Sequence, residues 1–219
     1  MSLFIIFDMD GVLIDSEPLH QLAEKKLLKE YGMDVDTNEL LQYMGRSTEK
    51  LLNDFIEAYN LDVDYPTLFI KHKANLIGIF NEQVQTIEGI PEFLTVLESH
   101  QIPFALASSS NLQLINTVLK HFDWQDRFTQ VVSGEEILNG KPAPDIFLET
   151  AKRLNTSPDD CVVIEDSSAG VRAGKAAGMR TIGFHSPNSH QQDISMADLE
   201  IQDFSSATVQ QILGWSGII

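Results

Sequence analysis

The chain opens on five apolar residues, 3–7, and then turns abruptly to Asp8 and Asp10. A run that short and that apolar reads as a strand buried on both faces. Further strands are read at 104–107, 129–132, 161–164 and 181–184, with 199–201 as a sixth. Between them the period changes. After Ser16, Leu22, Leu27 and Leu28 mark the apolar side of a helix that runs to about Tyr31, with Gly32 as its C-cap. Leu51, Leu52, Phe55 and Tyr59 predict a helix over 47–59, and Phe69, Leu76, Ile77 and Phe80 predict another from near Pro66. Downstream, helices are expected after Gly89, with Pro91 near the first turn, and over 111–122, after Pro144, over 168–177 up to Gly178, and over 206–215.

Residues 15–84 therefore read as all-helical, whereas strands and helices alternate elsewhere. Alternation predicts an α/β fold with right-handed crossovers and a Rossmann-like parallel sheet. The helical block is then an insertion, giving a core of 1–14 with 85–219 and a second domain of 15–84. In such a sheet the ligand site lies beyond the carboxyl ends of the strands, where strand order reverses.

Composition narrows the function classes. The 219 residues are 43% hydrophobic and 21% charged, as in a water-soluble globular chain. No apolar run approaches the 18 or so residues of a membrane span. The N-terminus has no basic region before its apolar stretch, so no signal peptide is expected. The single cysteine, Cys161, heads an apolar run and reads as a buried strand residue. A cytoplasmic monomer is the expectation. The formal net charge of −17 argues against nucleic acid and against anionic membranes as partners. It also means that any anionic ligand needs a locally positive site, from a metal, a lysine or helix N-termini.

Four stretches carry candidate chemistry. In an extended chain Asp8 and Asp10 point to one side. Two such carboxylates raise each other's pKa unless a cation lies between them, and a divalent metal is the simplest such cation. Gly11 then lets the chain turn. Ser108-Ser109-Ser110-Asn111 follows a strand and opens a helix, so its hydroxyls and free N–H groups suit either a phosphate or a plain N-cap. Lys141 lies between Gly140 and Pro142-Ala143-Pro144-Asp145, whose prolines keep it out of the following helix. Glu165-Asp166-Ser167-Ser168-Ala169-Gly170 again joins a strand to a helix.

In this order, each after a strand, the four stretches resemble the signatures of the haloacid dehalogenase superfamily, in its phosphatase and β-phosphoglucomutase-like branch with a helical cap domain. The resemblance implies that Asp8 attacks phosphorus and forms an aspartyl-phosphate. Asp10 then protonates the leaving oxygen and later takes a proton from the incoming water or hydroxyl. Ser108, with Ser109 and Asn111 beside it, is implied to hold the phosphoryl group, and Lys141 to stabilise that group and the nucleophile. Magnesium is implied, held by Asp8, the carbonyl of Asp10 and Asp166, with Glu165 as a ligand or as an acid behind it. The second acid, Asp10, favours phosphoryl chemistry over dehalogenation. In the cap, His20 stands ten positions after Asp10, where related β-phosphoglucomutases carry a histidine. Arg46, within Gly45-Arg46-Ser47, could clamp a second anionic group, and Lys73 is a further candidate. The reading is a magnesium-dependent phosphatase of small phosphorylated metabolites, sugar phosphates foremost. The alternative is a β-phosphoglucomutase-type mutase, disfavoured because Arg46 has acidic Glu49 close by. A non-catalytic binding module would have no use for a nucleophile with an acid–base partner.

Overall fold

Six short strands form one parallel sheet in the computed structural model, which describes residues 3–43, 47–188 and 192–217. They are β1 (Phe4–Phe7), β2 (Phe104–Ser108), β3 (Val131–Ser133), β4 (Cys161–Glu165), β5 (Arg180–Phe184) and β6 (Leu199–Ile201). Their order is β3-β2-β1-β4-β5-β6. β1 is central: Ile6 stands opposite Ala105 on one side and Val163 on the other. The chain leaves β1 toward one edge and later returns to continue toward the other, so strand order reverses at β1. The carboxyl ends of β1, β2 and β4 meet at that reversal.

Crossover helices cover both faces, which is why the central strands read as unbroken apolar runs. On one face Ile6, Ala105 and Val163 pack with Phe147 of α7 (Asp145–Arg153) and Ala173 of α8 (Ser168–Ala176). On the other, the Phe7 ring meets Phe104 edge-on at 6.1 Å and Phe93 of α5 (Ile90–Ser99) at 5.8 Å. Both Phe7 and Phe93 are fully buried, a state that stabilises by about 1.5–3 kcal/mol per side chain. α6 (Leu112–His121) is capped by Asn111, and α9 (Ser206–Ser216) by Ser205.

The chain divides into two compact units, Met1–Ser16 with Gln85–Ile219, and Glu17–Val84. Every regular element described in the second unit is helical: α1 (Glu17–Glu30), α2 (Thr37–Leu40), α3 (Thr48–Ala58) and α4 (Tyr65–Gln83). Asp36, Ser47 and Asp64 accept from backbone N–H groups at the starts of α2, α3 and α4. Leu27, Leu28, Leu52, Phe55 and Leu68 form the core of this unit. No described helix is long and apolar enough to cross a membrane.

Three expectations are corrected. The strand expected over 129–132 is β3, shifted to Val131–Ser133: Thr129 and Gln130 already bond to β2 through Phe104 O and Leu106 N, and Ser133 extends the ladder. Leu22 is exposed, because the buried line of α1 runs through Leu19, Ala23 and Leu27. Phe69 is likewise on the surface of α4, whose buried side runs through Leu68, His72, Leu76 and Ile79.

Candidate active site

β1 ends at Phe7, and the N–H of Asp8 still donates to Ile164 O of β4 at 3.0 Å. Asp8 is thereby fixed where the two strands end. The chain then turns back: Gly11 adopts φ +77°, its N–H meets Ile14 O at 2.9 Å, and Leu13 N–H meets Met9 O at 2.9 Å. A side chain with a Cβ rarely accepts that φ. Met9, Val12, Leu13 and Ile14 are fully buried, so this turn is anchored by packing and not by solvent-facing polar contacts.

Lys141 reaches the same place from the segment before α7. Its Nζ donates to Asp8 Oδ1 at 2.5 Å, to Glu165 Oε1 at 2.7 Å and to Ala107 O at 3.3 Å. The ammonium also sits 5.0 Å from the centre of the Phe147 ring. Burial would lower the lysine's pKa, but the two carboxylates outweigh it and hold Lys141 above its ordinary value. For Asp8 the balance is different. Burial raises its pKa most, Lys141 opposes, and the charges of Glu165, Asp10 and Asp166 raise it further.

Glu165 closes β4 and is 1% exposed. Both its oxygens are engaged: Oε1 takes the Lys141 bond, and Oε2 accepts from the N–H and the hydroxyl of Ser167, each at 2.9 Å. Gly170 makes room for this carboxylate. A Cβ there would lie 1.7 Å from Glu165 Oε1. Asp166, next in the chain, is also buried, and its charge acts on Asp8.

The serine segment completes the cluster. Ser108, the last residue of β2, is fully buried. Its hydroxyl accepts from Ser110 N–H at 3.0 Å and donates to Asp10 Oδ2 at 3.4 Å. Ser109 is exposed beside it. Asn111 serves as the α6 N-cap, its Oδ1 accepting from Leu114 N–H at 3.0 Å. Asp8, Asp10, Ser108, Lys141, Glu165 and Asp166 thus come together at the reversal point. His20 and Lys73 lie in the helical unit, His20 edge-on to Phe80 at 5.5 Å. Arg46 lies outside the described residues, with Gly45.

Two positions that contact the site were not singled out in the sequence reading. Ser110 donates its hydroxyl to Asp10 Oδ2 at 2.7 Å, and Ser133 on β3 donates to Ser110 O at 2.8 Å. Ser110 stood inside the serine stretch and could have been weighed with its neighbours. Ser133 gave no local signal, because only the β2–β3 pairing brings it near.

Among the described residues, no three His, Cys, Asp or Glu side chains cluster as a preformed metal site. The donor set nevertheless suits a hard divalent cation: four carboxylates (Asp8, Asp10, Glu165, Asp166) share one ammonium, so negative charge is in excess within a buried site. Oxygen donors alone match magnesium and not a thiol-seeking metal.

The family model for haloacid dehalogenase-like hydrolases matches residues 5–184. The chain is 31% identical over 212 residues to hexitol phosphatase B of Escherichia coli, covering 95% of this chain and 96% of that one. It is 36% identical over 186 residues to a bifunctional riboflavin kinase/FMN phosphatase of Arabidopsis thaliana, covering 83% of this chain but only 48% of the plant protein, so it spans about half of that relative. A solved Thermotoga maritima protein assigned as a β-phosphoglucomutase superposes with a TM-score of 0.84 at 30% identity, covering 97% of this chain and 99% of that one.

Proposed function

Because the chain belongs to the haloacid dehalogenase-like hydrolases, we propose that it hydrolyses small phosphate monoesters, sugar or polyol phosphates foremost, through an aspartyl-phosphate on Asp8. The observation that carries this reading is the buried contact of Lys141 Nζ with both Asp8 and Glu165, while Asp10 is held on the serine segment across the same site. Lys141 opposes the rise that burial imposes on the Asp8 pKa, favouring the carboxylate form of the nucleophile, and offers positive charge to an incoming phosphoryl group. Glu165 is the positioning residue for Lys141: its Oε1 takes the lysine while its Oε2 is fixed by the N–H and hydroxyl of Ser167.

In the first step an Asp8 oxygen forms a bond to phosphorus as the ester P–O bond breaks, and Asp10 gives a proton to the departing alkoxide, which leaves as the alcohol. In the second, water attacks the phosphoryl group and gives its proton to Asp10. The Asp8–phosphorus bond breaks, and inorganic phosphate leaves. Ser108 donates to the phosphoryl oxygens in both steps. Asp8, the main-chain carbonyl of Asp10 and Asp166 would hold magnesium, which when bound neutralises charge between carboxylate and phosphate.

The likeness to the Thermotoga maritima structure supports one other reading, a mutase in which a sugar hydroxyl takes the place of water. One experiment decides between the fates. The protein is incubated with magnesium and β-glucose 1-phosphate plus a trace of glucose 1,6-bisphosphate, alongside a panel of sugar and polyol phosphates. Release of inorganic phosphate, lost with a chelator and lost in Asp8→Asn, is the expected result. Glucose 6-phosphate formed much faster than free phosphate would make the protein a mutase. Full activity in Asp8→Asn would remove the covalent step.

A further inference from the structure

The Ser110 hydroxyl lies 2.7 Å from Asp10 Oδ2, closer than that of Ser108 at 3.4 Å. The residue is itself held at both ends of its backbone. Its N–H is tied to Ser108 Oγ, at the end of β2. Its carbonyl is tied to the hydroxyl of Ser133, which is fully buried at the end of β3. Next to Ser133, Gly134 lies so close under Ser109 that a Cβ would approach Ser109 O to 2.8 Å. The serine segment is therefore clamped to two strands before any ligand arrives. A side chain on such a support has little freedom, so its hydroxyl sets direction as well as energy.

We propose that Ser110 is a positioning residue for Asp10: its hydroxyl fixes carboxyl oxygen Oδ2, so that proton transfer to the leaving group runs through Oδ1. The inference rests on the acid–base role given to Asp10 above. It differs from a role in holding phosphate, for which Ser108 is the residue assigned. The two roles predict different losses. A serine that binds phosphate matters to every phosphate ester alike. A serine that aims the general acid matters only where the departing oxygen needs a proton.

The test uses two substrates with the same phosphoryl group. An alkyl ester, a hexose or hexitol 6-phosphate, leaves as a strongly basic alkoxide. 4-Nitrophenyl phosphate leaves as a stable phenolate. kcat/KM covers the steps up to loss of the leaving group, so hydrolysis of the phosphoenzyme does not enter for either ester. Ser110→Ala should lower kcat/KM about tenfold or more for the alkyl ester, the scale of one charge-assisted hydrogen bond, and by less than about twofold for the aryl ester. Ser110→Thr, which keeps a hydroxyl, should recover most of the alkyl activity. Equal losses on both esters would assign Ser110 to phosphate and overturn the inference while leaving the hydrolase reading intact. No loss on either would overturn it as well. Turnover of neither ester by the unaltered protein would fail the hydrolase reading, and the inference with it.

Discussion

Glu165 and Gly170 depend on each other five residues apart. The carboxylate occupies the volume that a Cβ at position 170 would need, 1.7 Å from Oε1 and 2.3 Å from Oε2. Gly170→Ala must therefore push Glu165 off Lys141 or off Ser167. The expected result is a fall in kcat of at least about tenfold, because a displaced hydrogen-bonded charge costs more than about 1.4 kcal/mol. Overpacking should also destabilise by about 1–3 kcal/mol. Steady-state kinetics and thermal melts of this variant test both, and kinetics equal to the parent's would show that Glu165 does not position the lysine. This dependence was not legible in the sequence, where Gly170 reads as an ordinary residue in the first turn of a helix. Asp8, Lys141 and Asp166 were legible because each breaks a strand–loop–helix pattern with a charge. Ser133 was not, since its partner lies 23 residues away on another strand.

At the scale of elements, three strands run one residue past the apolar pattern that announced them or shifted beyond it. β2, β3 and β4 end on Ser108, Ser133 and Glu165, all buried and all hydrogen-bonded. Hydrophobic periodicity stops where the polar site begins, so it marks the strand and misses its last residue. Helices were read less well on their faces than in their extents, as Leu22 and Phe69 show. The α1–α4 pair also shields ionisable groups that no pattern reveals, His72 buried and Glu24 half-buried. His72 on α4 is 3% exposed, its Nδ1 has no hydrogen-bond partner among the described residues, and burial with the nearby charge of His20 lowers its pKa to about 4. Glu24 on α1 is pushed the other way, to about 7, by burial against the opposing pull of His20 and with Glu17 adding to the rise. The signs differ. The unfolded chain protonates His72 below about 6.5, so its contribution to stability is present above that pH and lost as pH falls toward 4. Glu24 contributes below about 4.5, and that contribution is lost as pH rises through 7. His72→Leu should accordingly gain about 2–3 kcal/mol over the parent at pH 4.5, at about 1.4 kcal/mol per pKa unit, and little of that pH-dependent gain should remain at pH 7.5. Glu24→Gln should show the reverse, with its gain near pH 7.5. Melting curves at the two pH values check this, and a shift that is the same at both would refute the burial account for that residue.

The whole molecule poses the electrostatic problem that its site must answer. A chain of net charge −17 repels a phosphate dianion at long range. Within the site, Lys141 is shared between Asp8 and Glu165, so its positive charge is largely matched by negative partners before substrate arrives. Attraction must then come from short-range groups, the Ser108 hydroxyl and the magnesium proposed to bind beside Asp8, and these act only once the ester is close. Distance separates the two effects. The Debye length shrinks from about 30 Å at 0.01 M salt to about 8 Å at 0.15 M, which screens the global field and leaves contacts at hydrogen-bond range almost untouched. kcat/KM for a phosphate ester, measured with magnesium held in saturating excess, should therefore rise over that range by about two- to fivefold, a modest fraction of the effect that strong fields have on association. kcat should change little, since the bound complex feels only the local groups. A fall in kcat/KM with added salt would mean that the site itself projects a positive field beyond its mouth and outweighs the acidic surface. Replacing several exposed carboxylates far from Asp8 by their amides should reproduce the effect of salt at 0.01 M and remove the further response to it.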